Sequence, residues 1–295
     1  MRENSASGAV PAYQVERLTF SYRRGRGRTW NWGNDWALKG ISFEVLSGEI
    51  FGVVGPNGSG KTSLLKLLAK VLQPLQGVVE LFGSKLEGMR QEVVARTVAL
   101  VGQDTQQIFP FTITETVLMG RFPHHQRKGS FGGFAWEGPE DLRLARQAME
   151  ETDVAHLAHR LISEISGGER QRAIIARALA QQPKVLLLDE PTAFLDLNHQ
   201  LEICTILRRL NEQQGLTVVL SSHDLNLVSQ YCDRIMLLNE GTVFCLGTPE
   251  EVIRPDVLET VYRCEVLVDR HPDSGLPRVT LPSRAAIGTA HRIER

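Results

Sequence analysis

Short apolar runs and helical patterns alternate along most of this chain. Val15-Glu16-Arg17-Leu18-Thr19-Phe20-Ser21-Tyr22 alternates apolar and polar positions, which predicts a half-buried strand. Ile41-Ser42-Phe43-Glu44-Val45 alternates in the same way, and Ser47-Gly48-Glu49 turns it into the wholly apolar run Ile50–Val54. Ser63 to Lys70 then sets apolar side chains at helical spacing. Further strand signals lie at Gly77–Gly83, Thr97–Gln103, Val185–Leu188 and Leu216–Leu220, and a helical run covers Ala173–Ala180. Residues 104–167 change character. They hold a glycine-rich excursion at 129–138 and a long helical pattern from Pro139, with Leu142, Leu144, Ala145, Ala148 and Met149 as its apolar positions. Apolar strands of this kind suit a sheet covered on both faces. The expectation is an α/β fold around a parallel sheet, interrupted by a mostly helical insertion over residues 104–167.

Between the strand Ile50–Val54 and the helix after it stands Gly55-Pro56-Asn57-Gly58-Ser59-Gly60-Lys61-Thr62, with Ser63 next. This fits G-x-x-x-x-G-K-[ST], the phosphate-binding P-loop, in the strand-then-helix context that the motif requires. Its glycines let backbone N–H groups turn inward around a phosphate, and the helix start adds free N–H groups and a positive dipole end. Lys61 is placed to reach the β- and γ-phosphates, and the Thr62 hydroxyl to take a Mg²⁺ position. The chain is expected to bind a nucleoside triphosphate.

In open α/β sheets ligands bind beyond the carboxyl ends of the parallel strands. The P-loop, Gln103, Asp189-Glu190 and His223 all occupy such ends, so four segments converge on one phosphate site. Phosphoryl transfer needs charge neutralisation and a positioned nucleophile. Asp189 suits the Mg²⁺ shell, since Mg²⁺ prefers oxygen ligands and keeps several waters. Glu190 could orient and deprotonate the attacking water, His223 could sense the γ-phosphate, and Gln103 could position metal or water. A solvent-exposed carboxylate and a capping histidine are the plain alternatives for Glu190 and His223.

Ser166-Gly167-Gly168-Glu169 precedes the helix over Ala173–Ala180. Ser166 and Glu169 fit a capping box, which makes an ordinary helix start. A serine-glycine-glycine turn at a helix N-terminus is also an anion site. A chain with its own P-loop does not need a second anion site for the same phosphate, so this one suits a nucleotide on another copy of the chain.

Composition changes the picture by exclusion. The 295 residues are 42% hydrophobic and 23% charged, with a formal net charge of −1, which offers no bulk attraction to nucleic acid or anionic membrane. Cys204, Cys232, Cys245 and Cys264 are scattered without C-x-x-C, as in a reducing compartment. The polar start lacks a secretory core, no uninterrupted apolar stretch is long enough to cross a membrane, and the chain is expected inside the cell. Residues 1–11 read as a disordered leader, and 266–295, rich in Arg, Pro and Gly, as a flexible tail. Residues 23–36 form a basic, glycine-rich excursion with three tryptophans. It reads either as a solvated loop or as a contact surface, since Arg and Trp together favour interfaces.

The ordered set of P-loop, Gln103, Ser166–Glu169, Asp189-Glu190, Leu195-Asp196 and His223 resembles an ATP-binding-cassette (ABC) ATPase over about residues 13–265. The resemblance implies a parallel-sheet core with an N-terminal antiparallel β subdomain and a helical subdomain in one ATPase domain, 12–265. It also implies ATP and Mg²⁺ as cofactors, Tyr22 stacked on adenine, and Ser166 and Gly168 on the γ-phosphate of a partner in a head-to-tail homodimer. Leu195-Asp196 matches the loop that communicates across that interface. The signature here reads I-S-G-G-E rather than L-S-G-G-Q, which sets the charge of Glu169 near a phosphate. Thr114–His124, Ser166–Ala180, His223–Leu227, and Gly247–Val252 followed by Val261-Tyr262 resemble the importer subfamily for iron–siderophore, haem and cobalamin. That implies separate permease subunits, an extracytoplasmic substrate-binding protein and a place at the cytoplasmic membrane face. His124-His125, His156 and His159 read as surface residues rather than haem or metal ligands. An exporter ATPase shares the catalytic motifs. A two-cassette translation protein and a coiled-coil DNA-repair ATPase do not fit one P-loop and no heptad run.

Overall fold

Every residue of Ile50–Val54, Val185–Asp189 and Thr217–Ser221 is buried in the computed structural model, which describes residues 10–22, 36–103, 110–125 and 138–282. These strands are β3 (Ile50–Val54), β7 (Val185–Asp189) and β8 (Thr217–Ser221) of a six-stranded sheet. Its order is β10-β9-β3-β8-β7-β6, with β6 Val98–Val101, β9 Arg234–Asn239 and β10 Thr242–Gly247. All pairings are parallel except β9–β10, which close the edge as a hairpin. The period-2 alternation of a strand divides each run between two cores. Ile50, Val54, Leu186, Leu188, Val218 and Leu220 face one, while Phe51, Val53, Val185, Leu187 and Val219 face the other.

The second core is closed by a four-stranded antiparallel sheet, order β2-β1-β4-β5, from β1 Tyr13–Ser21, β2 Trp36–Val45, β4 Gln76–Leu81 and β5 Ser84–Lys85. Helix α1 (Lys61–Leu68) is packed between the two sheets, and the buried Tyr13 hydroxyl donates to the Leu68 carbonyl at its end (2.9 Å). Helix α2 (Gln91–Thr97) leads into β6.

The first core is covered by α3 (Ile113–Leu118), α4 (Pro139–Glu151), α5 (Gly167–Ala180) and α6 (Leu197–Gln214). The expected helical insertion is α3, α4 and the turns around them, docked on α5. Arg121 secures it from a buried position, donating to Asp141 Oδ1 at 2.8 Å and to the Ala180 carbonyl at 2.7 Å. His124 Nε2 lies 2.8 Å from the Gln181 carbonyl and His125 Nε2 3.1 Å from Asp141. Both histidines therefore have ordinary structural partners.

After β8 come α7 (Leu225–Tyr231), β9, β10, α8 (Pro249–Val252) and α9 (Pro255–Tyr262). The expectation of a flexible tail from residue 266 is corrected over its first part. β11 (Leu267–Arg270) and β12 (Pro277–Thr280) pair antiparallel and lie against α7. Val268 and Val279 pack on the first core, Ser229 Oγ donates to the Pro277 carbonyl (2.6 Å), and the Asn226 side chain exchanges two hydrogen bonds with Val279. Turn-rich composition concealed a hairpin whose apolar content is small but whose backbone is fixed by side chains of α7. Residues 1–9 of the leader, 23–35 of the Arg/Trp excursion, 104–109 and 126–137 of the insertion and 283–295 of the tail lie outside the described residues. Among the described residues, no helix is long and apolar enough to cross a membrane.

Candidate active site

The P-loop folds as its glycines require. Gly55 (φ 147°) and Gly60 (φ 106°) have backbone angles that side-chain-bearing residues rarely adopt. A Cβ on Gly55 would overlap the Leu238 carbonyl, and one on Gly60 would sit 2.5 Å from the Ala37 carbonyl. The turn therefore presses against β9 and β2, and its mouth opens into a cavity of about 700 Å³. Tyr22, Asn57, Gly58, Ser59, Gly60, Lys61, Thr62, Ser63, Gln103, Glu190 and His223 line it, together with Ala37 and Phe194. Eleven residues expected from the sequence thus meet at one cavity.

Lys61 is 6% exposed, and its ammonium donates to the carbonyls of Gly55 (2.8 Å) and Pro56 (3.2 Å), the two remaining P-loop residues. Burial lowers its pKa, while the nearby Glu190 and Asp189 pull it back up. A cation folded onto its own loop in this way is poised to exchange carbonyl for phosphate oxygens.

Glu190 follows β7 in left-handed backbone (φ 52°), which turns its side chain into the cavity. Gln103 Nε2 donates to Glu190 Oε2 at 3.1 Å, and His223 Nδ1 lies 3.4 Å from the same oxygen. Asp224 caps α7, its carboxylate accepting from the N–H groups of Asn226 and Leu227 and fixing the helix next to His223. Asp189 is buried at the end of β7. Its Oδ1 accepts from Ser221 Oγ (2.6 Å), and the same Oγ accepts from the Glu190 N–H (3.0 Å). Tyr22 stands at the rim, its hydroxyl 3.0 Å from Ser63 Oγ and its ring edge-on to Phe20.

The donors near the P-loop suit Mg²⁺. Thr62, Asp189 and Gln103 supply oxygens only, and among the described residues no group of three or more acidic, His or Cys side chains forms a cage. Sparse protein oxygens beside a phosphate site fit an ion that keeps waters and shares phosphate oxygens.

Ser166, Gly167, Gly168, Glu169 and Asp196 do not line the cavity. Ser166 caps α5 by accepting from the Glu169 N–H, and the Glu169 carboxylate takes the Ser166 N–H (2.8 Å), which holds its pKa low. Asp196 caps α6. Sequence reasoning missed two participants. Ser221 ends a strand like its neighbours, and its pairing with Asp189 shows only once β7 and β8 are in register. Phe194 is 98% exposed in left-handed backbone (φ 62°) at the cavity edge. An aromatic four residues after Glu190, in the turn that follows the acid-ended strand, was the available signal.

The sequence profile of the ABC transporter family matches residues 38–193. The chain is 42% identical over 251 residues to a hemin import ATP-binding protein of Gloeobacter violaceus, covering 83% of this chain and 88% of the relative. It is 33% identical to the ferric enterobactin transport ATP-binding protein of Escherichia coli, covering 91% of this chain and 97% of that one. A cobalamin import ATP-binding protein of Halobacterium salinarum is 38% identical over 84% of this chain, which spans 61% of that longer relative. Among solved structures, the inward-facing conformation of a putative metal-chelate type ABC transporter superposes with a TM-score of 0.77 at 28% identity, covering 94% and 99% of the two chains. A dimeric post-hydrolysis ATP-binding cassette bound to ADP and Pi superposes with a TM-score of 0.66 at 28% identity, covering 80% of this chain and 98% of that one. Matched across more than half its length by the family profile and across most of it by these relatives, the chain belongs to the ABC transporter family, as an ATPase.

Proposed function

We propose that this ATPase powers a membrane importer for a compact chelate of the iron–siderophore, haem or cobalamin type. In this reading two copies enclose two ATP molecules head to tail on the cytoplasmic face of permease subunits, with an extracytoplasmic protein delivering the cargo. The relatives named for hemin, ferric enterobactin and cobalamin support the cargo class. One observation carries the two-copy mechanism. The cavity brings together the P-loop, Gln103, Glu190 and His223, whereas the Ser166 turn, expected to be a second anion site, does not line it.

Lys61 leaves the Gly55 and Pro56 carbonyls for the β- and γ-phosphate oxygens, and the P-loop N–H groups surround the β-phosphate. Tyr22 stacks on the adenine. Thr62, Asp189 and the amide oxygen of Gln103 would hold Mg²⁺, which when bound would neutralise phosphate charge. Gln103 and His223 fix the Glu190 carboxylate from one side, so that it orients the attacking water and accepts its proton. The partner's Ser166 turn completes the γ-phosphate cradle. Closure and reopening of the dimer pass through the helical insertion to the permease.

Sedimentation of a Glu190→Gln variant tests this. With ATP and Mg²⁺ it should form a stable dimer that hydrolyses at most about one-hundredth as fast as the parent. A monomer at all ATP concentrations, or hydrolysis at the parental rate, would sink the reading.

A further inference from the structure

The two glycines of the Ser166 turn are packed against the segment that follows Glu190. A Cβ on Gly167 would stand 3.7 Å from Leu195 Cδ2, and a Cβ on Gly168 would overlap the His199 ring at Cγ, Cδ2 and Nδ1. The imidazole therefore lies flat beneath the turn, where no side chain could replace it on the Gly168 side.

His199 is held in place from its own helix. Its backbone N–H donates to Asp196 Oδ1 (3.0 Å), and ring Nδ1 is 3.0 Å from Glu202 Oε2. A carboxylate only accepts, so Nδ1 carries the hydrogen. Glu202 also accepts from Asn198 Nδ2 (2.7 Å) and pairs with Arg172, a buried residue one turn beyond Gly168 on α5. The His199 hydrogen bond is the largest cause of the lowered Glu202 pKa.

The path continues toward the cavity. The Ala193 N–H donates to the Glu190 carbonyl (3.1 Å), and Gln200 Nε2 donates to the Leu195 carbonyl (3.0 Å) and, at 3.4 Å, to that of Thr192. Residues 190–196 are thus pinned to the first turn of α6, and that turn is pinned to α5 through His199 and Glu202.

We propose that His199 is a positioning residue for ATP hydrolysis. It locks the Ser166–Gly168 turn to the 190–196 segment, so that a phosphate seated on the turn fixes this chain's own Glu190. This deepens the two-copy reading and rests on it, because the phosphate on the turn belongs to the partner's nucleotide.

Three substitutions in the full-length chain separate this role from simple packing. Asn can set its amide nitrogen where Nδ1 stands, whereas Gln, closer in volume to His, sets its nitrogen near Nε2. His199→Ala and His199→Gln should each lower kcat by about 10- to 100-fold with KM for ATP within about twofold. His199→Asn should keep at least about half the parental kcat. Melting temperatures of all three identify any loss due to unfolding, and the comparison of Asn with Gln holds even if Ala folds poorly. Parental kcat in His199→Ala, a loss confined to KM, or rescue by Gln but not Asn would each overturn the role. Ser166→Arg distinguishes the underlying reading. If it abolishes turnover while His199→Ala does not, only the His199 role fails; if it turns over at the parental rate, the two-copy reading fails and the role with it.

Discussion

Ser221 is the residue whose removal tests the site most sharply, because one oxygen serves two functional groups. It is fully buried, and its hydroxyl donates to Asp189 Oδ1 at 2.6 Å while accepting from the Glu190 N–H at 3.0 Å. Ser221→Ala deletes that oxygen without adding an atom. The bond to the Asp189 carboxylate contributes about 1.5–3 kcal/mol. The Glu190 N–H keeps a second acceptor, the Ser221 carbonyl at 3.2 Å, so no donor is orphaned and stability should fall by about 1.5–3 kcal/mol in all. The effect on turnover should be larger than a generic loss of stability gives. Asp189 becomes free to rotate away from the proposed metal position, and the left-handed Glu190 backbone (φ 52°) loses a tether that offsets strain of about 1–2 kcal/mol. The expected result is a fall in kcat of about 10- to 100-fold with a raised Mg²⁺ requirement. Phosphate release measured across a Mg²⁺ titration, beside a thermal melt, reads both. Parental kcat at the parental Mg²⁺ half-saturation would show that Ser221 positions neither carboxylate.

Two further outcomes are expected. Ser166→Arg should leave ATP binding by the isolated chain intact and reduce turnover by about 100-fold or more, measured by nucleotide titration and phosphate release on one preparation; turnover at the parental rate would refute the completion of the site by a second copy. Glu49 is 6% exposed, and burial pushes its pKa up to about 7 against the pull of the Leu46 N–H and the Arg234 guanidinium. Its folded pKa lies above the unfolded value of 4.5, so its contribution is fully present below pH 4.5 and is lost as pH rises through 7, a change on the order of 3 kcal/mol. Glu49→Gln should flatten the fall in melting temperature between those pH values, and an unchanged slope would count against the buried, proton-binding carboxylate.

The candidate site was legible because its residues sit where short-range patterns end. The P-loop, Asp189-Glu190 and His223 each follow an apolar run that is a central strand, and parallel pairing carries all those ends to one edge. What stayed hidden depends on contacts between segments distant in sequence. Ser221 acquires its role only through register with Asp189 across β7 and β8. The hairpin Leu267–Thr280 has two short strands in a turn-rich tail, and its order comes from Asn226 and Ser229 of α7 and from the Arg278–Asp269 pair at 2.8 Å. Composition described that tail correctly as polar but could not reveal the helix that receives it.

The turn at Ser166 shows how an apparent choice between two readings dissolves in the geometry. A capping box and an anion site compete only if both use the same donors. Here the Glu169 carboxylate takes the Ser166 N–H, and the Glu169 N–H goes to the Ser166 hydroxyl. Gly167 and Gly168 are left as the first two residues of α5, where N–H groups have no intrahelical acceptor. The cap thus consumes the outer and inner donors and presents the middle pair. The same arrangement answers the charge raised by Glu in place of Gln. Folded back onto the Ser166 N–H, with its pKa lowered by that bond, the carboxylate is engaged in the cap, and Arg172 and Arg160 add favourable charge nearby. An amide at this position could make the same bond without the charge. Here the acid therefore costs the turn little as an anion site, and it strengthens the cap that holds both glycines in place.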